Sequence, residues 1–126
     1  MVGIVIVSHS ESLAKSVVEL TAMMAPDARI APAGGLDDGS FGTSFEKIHA
    51  AIESVYSDDG VLVLMDMGSA VMTTEMVLET MDDMKVAMVD CPLVEGAVVA
   101  TIDAVGGMDF DGIQRTLSSV GASKKF

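Results

Sequence analysis

The sequence predicts an α/β fold with a mainly parallel central sheet of about four strands flanked by helices. Three apolar runs rich in valine and isoleucine, and a weaker fourth run, have the composition of strands that are buried on both faces. Segments with helical spacing of apolar residues alternate with these runs. The resulting order, β-α-β-α-β-α-β-α-α, favours parallel strands joined by right-handed crossovers.

The individual elements follow from these patterns. The strands are predicted at residues 2–7, 28–31, 60–65 and 85–89, and the helices at residues 10–24, 43–56, 69–81, 93–105 and 109–120. In the first helix one apolar stripe is expected to face the sheet: Leu13, Val17, Leu20 and Met24. The third helix carries a similar stripe: Val71, Met72, Val77, Leu78 and Met81.

Polar residues mark where two of the helices begin. Thr43 and Glu46 have the spacing of a capping box, and Ser69 stands directly after the third strand, where it is expected to cap the third helix. We find no linker and no internal repeat in the 126 residues. The sequence therefore predicts a single domain over residues 1–126.

Composition and charge narrow the class of partner. The 19 acidic residues against 7 Lys plus Arg give a net charge of −12, which disfavours nucleic acid and anionic membranes and favours a partner with a basic face. Acidity kept for solubility is the alternative. No apolar run approaches the ~20 residues of a membrane helix, the N-terminus lacks the features of a signal peptide, and Cys91 is the sole cysteine. We expect a cytoplasmic protein.

Three loops are predicted to follow the carboxyl ends of neighbouring strands, at residues 7–10, 33–44 and 66–69. Ligands of open α/β sheets bind at this edge, at the point where the strand order reverses. If the first strand lies between the second and the third, all three loops meet there. The sequence therefore predicts a functional site at this edge of the sheet.

His9 is the reactive candidate at that site, because imidazole is nucleophilic and titrates near neutral pH. Asp66 ends the neighbouring strand and is placed to accept a hydrogen bond from one ring nitrogen, which fixes the tautomer and leaves the other nitrogen to react. We expect Nδ1 to face Asp66 and Nε2 to be free. A histidine that merely satisfies a loop or caps a helix is the alternative interpretation.

The second loop is rich in glycine, which permits positive φ and a close approach of the backbone to a ligand. It leads into a helix whose first amides and hydroxyls are suited to phosphate oxygens. The predicted phosphate-binding residues are Gly39, Gly42, Thr43 and Ser44, with Ser10 at the start of the first helix. The loop has no Gly-Lys-Ser/Thr motif, so we expect neither a nucleotide nor another cofactor on this chain. A plain glycine-rich turn is the alternative.

A metal site is not expected. Asp37 and Asp38 could join Asp66 around a divalent cation, but the glycines beside them explain both as turn formers. A metal-dependent hydrolase using His9, Asp38 and Asp66 remains an alternative, as does a binding module in which His9 is structural. His49 lies beside the apolar stripe of the second helix and is expected to be structural.

Four sequence blocks resemble a known family. They are residues 3–10 (GIVIVSHS), residues 33–44 with their glycines and Gly-Thr-Ser end, residues 66–70 (DMGSA) and residues 93–97 (LVEGA). In this order they are similar to the phosphotransferase subunit of phosphoenolpyruvate-dependent dihydroxyacetone kinase, a relative of the mannose-type enzyme IIA of the bacterial sugar phosphotransferase system. The similarity covers nearly the whole chain.

The resemblance implies a function and partners. His9 would be phosphorylated by the phosphohistidine of the carrier HPr. Asp66 matches the aspartate that accepts the hydrogen bond from the histidine in the mannose-type relatives. The phosphoryl group would then pass to ADP on the nucleotide-binding subunit of the kinase. Family members are homodimers, and the third helix is a candidate for the dimer face. Some members carry fused HPr-like and enzyme I-like domains, and because this chain ends at Phe126 we expect separate carriers. An enzyme IIA of a mannose-type sugar transporter is the alternative.

Overall fold

The α/β fold is confirmed by a computed structural model, which describes residues 1–126. The elements are β1 (Gly3–Ser8), α1 (Glu11–Ala22), β2 (Ile30–Gly34), α2 (Phe45–Val55), β3 (Val61–Met65), α3 (Ala70–Glu79), β4 (Val86–Met88), α4 (Leu93–Val105) and α5 (Phe110–Ser118), followed by a 3₁₀ turn at Val120–Ala122. None of the helices has the length and apolar composition needed to cross a membrane.

The sheet has four parallel strands in the order β2-β1-β3-β4. β1 therefore lies in the middle, and every one of its six residues is buried. Alternate side chains of β1 point to opposite faces of the sheet. Ile4 and Ile6 pack in a core formed with α1, α4 and α5, whereas Val5 and Val7 pack in a second core formed with α2 and α3.

The second strand lies a few residues later than predicted, at Ile30–Gly34 rather than 28–31. It contains Pro32 and ends on Gly34, residues that are usually depleted in strands. The sheet accepts them because β2 is an edge strand, paired only with β1, and an edge strand needs backbone donors on one side only.

The predicted core face of α1 is wrong in all but Val17. The structure buries Ala14, Val17 and Thr21, while the larger apolar side chains of the predicted stripe are exposed: Leu13 (40%), Leu20 (36%) and Met24 (51%). The reason is the close approach of α1 to β2, where a Cβ added to Gly34 would lie 2.4 Å from the Ser10 carbonyl oxygen and 2.8 Å from the Ala14 Cβ. Only small side chains fit between the helix and this strand.

The apolar face of α3 is only partly as predicted. Val77 and Met81 are buried, together with Ala70 and Thr74. Met72, which was expected on the same face, is 73% exposed. The helix packs on the sheet through Ala70, Thr74 and Val77, and Met72 is left on the outer side. Met81 is buried just beyond the end of the helix.

The predicted capping box at Thr43 and Glu46 is wrong. Ser44 is the N-cap of α2, with extended backbone angles, and its hydroxyl accepts a hydrogen bond from the Lys47 N–H. The Thr43 hydroxyl instead lies 2.9 Å from that of Thr73 on α3. This hydrogen bond ties the end of the glycine-rich loop to the neighbouring helix.

Candidate functional site

The three loops meet at the carboxyl end of β1, because β1 lies between β2 and β3. Backbone hydrogen bonds hold them there. The Gly42 N–H donates to the His9 carbonyl at 2.9 Å, the Gly35 N–H donates to the Ser8 carbonyl at 3.1 Å, and the Asp66 N–H donates to the Val7 carbonyl at 3.1 Å. The end of the central strand is thus fixed from both sides, which gives the side chains around His9 a rigid support.

His9 and Asp66 are in direct contact. The His9 Nδ1 lies 3.0 Å from one carboxylate oxygen of Asp66. The other oxygen accepts hydrogen bonds from the His9 backbone N–H (3.1 Å) and from the Ser8 hydroxyl (2.9 Å). Ser8 in turn accepts from the Ser10 N–H at 3.0 Å. The carboxylate is therefore oriented before any ligand arrives.

The charge state of Asp66 settles the tautomer of His9. Burial alone would raise the pKa of Asp66, but the hydrogen bonds from the His9 N–H, the Ser8 hydroxyl and the His9 imidazole outweigh burial, and the pKa is lowered from its usual value. An ionised carboxylate only accepts hydrogen bonds. In the neutral imidazole Nδ1 therefore carries the proton, and Nε2 presents its lone pair away from Asp66.

Nε2 is not free, contrary to expectation. The hydroxyl oxygen of Ser69 lies 2.8 Å from it. Ser69 occupies the N-cap position of α3, but with φ −66° and ψ −19° it makes no side-chain capping hydrogen bond. An N-cap residue normally has extended angles, as Ser10 and Ser44 do. The predicted role of Ser69 as a cap is wrong, and its contact with the imidazole was missed.

The glycine-rich loop wraps beside His9 with φ values that favour glycine. Gly39 has φ +85° and Gly42 has φ +148°. A Cβ at Gly42 would also lie 2.9 Å from the Leu36 Cγ. The N–H groups of both glycines are used within the protein, since Gly39 donates to the Leu36 carbonyl and Gly42 to the His9 carbonyl. Of the two predicted phosphate-binding glycines, Gly42 contacts His9 directly, whereas Gly39 contacts Leu36 within the loop.

The hydroxyls predicted to bind phosphate have structural partners. Ser10 and Ser44 are the N-caps of α1 and α2, and each accepts a hydrogen bond at 3.2 Å from a backbone N–H of the first helical turn. The Thr43 hydroxyl pairs with that of Thr73. Ser44 is 8% exposed. These residues frame the site, and their contact with phosphate stays a prediction.

Lys47, which sequence reasoning overlooked, holds the glycine-rich loop. Its ammonium group donates to the carbonyls of Gly34 and Leu36, both at 3.1 Å, and to the Glu11 carboxylate at 3.0 Å. Hydrogen bonds from Lys15 and Lys47 lower the pKa of Glu11 to about 2. The sequence did contain an indication of this role, because Lys47 lies in the first turn of the helix that follows the loop. Side chains of a helix tilt toward its N-terminus, so a long side chain at this position reaches back over the loop.

Other candidate groups do not form a second reactive centre. Asp38 accepts hydrogen bonds from the backbone and hydroxyl of Ser40, and no three His, Cys, Asp or Glu side chains cluster as metal ligands. His49 pairs with Glu53 at 3.0 Å on the outer side of α2. Cys91 borders a cavity of about 420 Å³ at the ends of β3 and β4, which is lined mainly by hydrophobic residues and also by Asp66 and Asp90. Burial raises the pKa of the Cys91 thiol to about 11.

Comparison with known proteins places this site in a family. Residues 3–114 match the family model EIIA-man, described as the fructose IIA component of the phosphotransferase system (PTS). The chain belongs to this family of PTS IIA components. A solved mannose/sorbose-specific IIA subunit from Enterococcus faecalis shares the fold, with a TM-score of 0.55 and 19% identity over 98% of this chain and 93% of that one.

The relatives point to one branch of the family. The chain is 45% identical over 118 residues to the phosphoryl donor subunit DhaM of the PEP-dependent dihydroxyacetone kinase of Escherichia coli (strain K12), covering 88% of this chain and 25% of that one. It thus spans about a quarter of that relative's length. It is 36% identical to the DhaM phosphotransferase subunit of Lactococcus lactis over 94% of each chain. The predicted resemblance to this subunit is confirmed.

A second solved structure has a higher TM-score against this chain than the IIA subunit has, but its own function is unknown. It is a protein of unknown function designated EF1359, with a TM-score of 0.83 and 30% identity over 99% of this chain and 98% of that one.

Proposed function

We propose that this chain is a phosphohistidine carrier that accepts a phosphoryl group on His9 from HPr and transfers it to ADP bound on the nucleotide-binding subunit of dihydroxyacetone kinase. The observation that carries the proposal is the His9–Asp66 pair at the end of the central strand, with Nδ1 3.0 Å from the carboxylate. The relatives named as phosphoryl donor subunits of this kinase support the choice of acceptor.

The transfer onto His9 is a displacement at phosphorus. The Nε2 lone pair attacks while the P–N bond of the donor phosphohistidine breaks, and the donor ring takes that electron pair. The Nδ1 proton stays between His9 and Asp66, whose charge stabilises the cationic ring. In the second step a terminal phosphate oxygen of ADP attacks phosphorus, the P–Nε2 bond breaks, and ATP leaves with a neutral imidazole behind.

The surroundings of His9 suit a carrier better than a nucleotide-binding enzyme. Its side chain is 23% exposed, so one ring edge is reachable by a second protein. Lys47 is bound to loop carbonyls and Glu11 and is therefore not available as the lysine of a phosphate-binding loop. The net charge of −12 favours donors and acceptors with basic faces around their own sites.

We propose a cytoplasmic homodimer as the working form. α3 is the candidate for the dimer face, because Met72 and Met76 lie exposed on it at 73% and 55%. Sedimentation of the wild type beside Met72→Glu tests this. The variant is expected to be monomeric and the wild type dimeric, and a monomeric wild type at all concentrations contradicts the proposal.

The carrier function is tested by intact mass after incubation with phosphoenolpyruvate, enzyme I and HPr. The wild type is expected to gain one acid-labile phosphoryl group, and His9→Ala is expected to gain none. His49→Ala is the matched control, since it removes the other histidine, and it is expected to behave as the wild type. An unmodified wild type, with HPr shown to be phosphorylated in the same tube, overturns the proposal.

The acceptor is tested with the phosphorylated wild type after removal of HPr. The ADP-loaded nucleotide-binding subunit is expected to discharge the phosphoryl group and yield ATP. The IIB domain of a mannose-type transporter is the comparison acceptor. Discharge by the IIB domain alone contradicts the kinase assignment and leaves the carrier chemistry in place.

A further inference from the structure

We propose that Ser69 is a positioning residue that holds Nε2 of His9 in the unphosphorylated protein and then moves its hydrogen bond to the phosphoryl group. The inference rests on the proposed carrier function. The observation behind it is the 2.8 Å distance between the Ser69 hydroxyl oxygen and Nε2.

The direction of this hydrogen bond follows from the carboxylate on the other side of the ring. Asp66 accepts from Nδ1, so the neutral imidazole has its proton there and a lone pair on Nε2. The serine must then be the donor. His9 is held at both ring nitrogens, which fixes the plane of the ring and the direction in which the Nε2 lone pair points.

The side chain of Ser69 has no competing structural task. It makes no capping hydrogen bond in α3, it is exposed, and Gly68 before it has open space around its Cα. A hydroxyl is free to turn about its C–O bond and needs no backbone movement to change partner. The serine can therefore leave Nε2 without disturbing the helix.

Phosphoryl transfer requires that change of partner. When the Nε2 lone pair forms the bond to phosphorus, Nε2 can no longer accept a hydrogen bond. The phosphoryl oxygens then become the nearest acceptors, and they carry negative charge. A hydrogen bond to a charged oxygen is stronger than one to a neutral nitrogen. Ser69 therefore stabilises the phosphorylated protein more than the unphosphorylated one, and its proton stays on oxygen throughout.

The test compares Ser69→Ala, Ser69→Thr and the control Ser118→Ala, which removes an exposed serine hydroxyl on α5 bonded only to the Arg115 carbonyl. Each is equilibrated with phosphorylated HPr, and the ratio of phosphorylated to unphosphorylated chain is measured. Exchanging a charged for a neutral hydrogen bond corresponds to about a tenfold change in this ratio. We expect a loss of about that size in Ser69→Ala, and wild-type behaviour in Ser69→Thr and Ser118→Ala.

A spectroscopic measurement separates positioning from mere structure. The ¹⁵N chemical shifts of the His9 ring are recorded in the unphosphorylated wild type and in Ser69→Ala. The Nε2 shift is expected to change and the Nδ1 shift to remain, with the thermal midpoint close to that of the wild type. An unchanged Nε2 shift, or an unchanged phosphorylation ratio, in Ser69→Ala overturns the inference.

The two proposals fail in different ways. A wild type that HPr does not phosphorylate removes the carrier function, whatever the behaviour of Ser69. A wild type that is phosphorylated, beside a Ser69→Ala variant with the same ratio, removes the role of Ser69 and leaves the carrier function standing.

Discussion

Replacing Asp66 by Asn removes the charge beside His9 while leaving the shape of the side chain almost unchanged. The carboxylate lies 3.0 Å from Nδ1 and accepts two further hydrogen bonds, from the His9 N–H and the Ser8 hydroxyl. An amide has one acceptor oxygen and one donor nitrogen. At least one of the three donors is then left without its acceptor, and the phosphorylated ring loses its counter-charge.

The size of the effect follows from that geometry. Two unit charges 3.0 Å apart at an effective dielectric constant of ~20 interact by about 5 kcal/mol. The His9 ring is 23% exposed, so water screens part of this, and the hydrogen bond to a charged group is worth about 1.5–3 kcal/mol. We therefore use the range of about 1.5–3 kcal/mol rather than the larger Coulomb value. This range corresponds to a fall of about 10- to 150-fold in the rate of phosphoryl acceptance.

The assay is the initial rate of phosphorylation by phosphorylated HPr, followed by rapid quenching and intact mass. Asp111→Asn, on the exposed side of α5, is the control for the same change of net charge and is expected to match the wild type. A thermal unfolding curve shows that Asp66→Asn is folded. A folded Asp66→Asn protein with the wild-type rate would refute the role assigned to the carboxylate.

Two further predictions concern stability. Gly42→Ala is expected to lower the free energy of unfolding by about 1–3 kcal/mol, because φ is +148° and the added Cβ meets the Leu36 side chain at 2.9 Å; urea unfolding checks this, and Gly68→Ala, whose Cβ meets nothing, should be near neutral. The second concerns Glu11, whose pKa in the folded protein is lowered from 4.5 to about 2 by its two lysine partners. A lowered pKa contributes stability that is complete above about pH 4.5 and is lost as pH falls toward 2. The stability difference between wild type and Glu11→Gln, measured by urea unfolding, should therefore be constant from pH 7 to 5 and shrink below pH 4. A difference that grows on acidification contradicts the ion pair.

The fold was largely predictable because each element is encoded locally. The valine-rich runs have the composition of buried strands, and their alternation with helical segments leaves few topologies. The face of α1 was not predictable in the same way. Helical spacing fits both the stripe through Leu13 and Leu20 and the one through Ala14 and Thr21, and hydrophobicity favours the first. The close approach of Gly34 to the helix selects the second, and that is a tertiary constraint.

The site was predictable in its main pair and not in its details. His9 and Asp66 follow the carboxyl ends of β1 and β3, which are parallel neighbours. Their proximity therefore does not depend on the conformation of the loops. Ser69 and Lys47 act through the direction of a side chain, which depends on backbone angles and on a loop path that sequence patterns do not specify. Ser69 looked like a cap because of its position, and its helical φ and ψ turn the hydroxyl toward the imidazole instead.

The proline in β2 has a consequence for how the protein meets other chains. The Arg29 carbonyl and the Gly35 N–H both bond to β1, so by the alternation of the ladder the backbone groups of Pro32 and Gly34 point to the open edge of the sheet. Pro32 has no N–H to offer there, and the Gly34 carbonyl is already taken by Lys47. An incoming strand therefore loses one donor, because Pro32 has no N–H, and one acceptor, because Lys47 occupies the Gly34 carbonyl. The Pro32 carbonyl and the Gly34 N–H still face this edge. This edge of the sheet is therefore a poor template for strand addition, which favours docking through side chains for a protein that approaches His9 from this side.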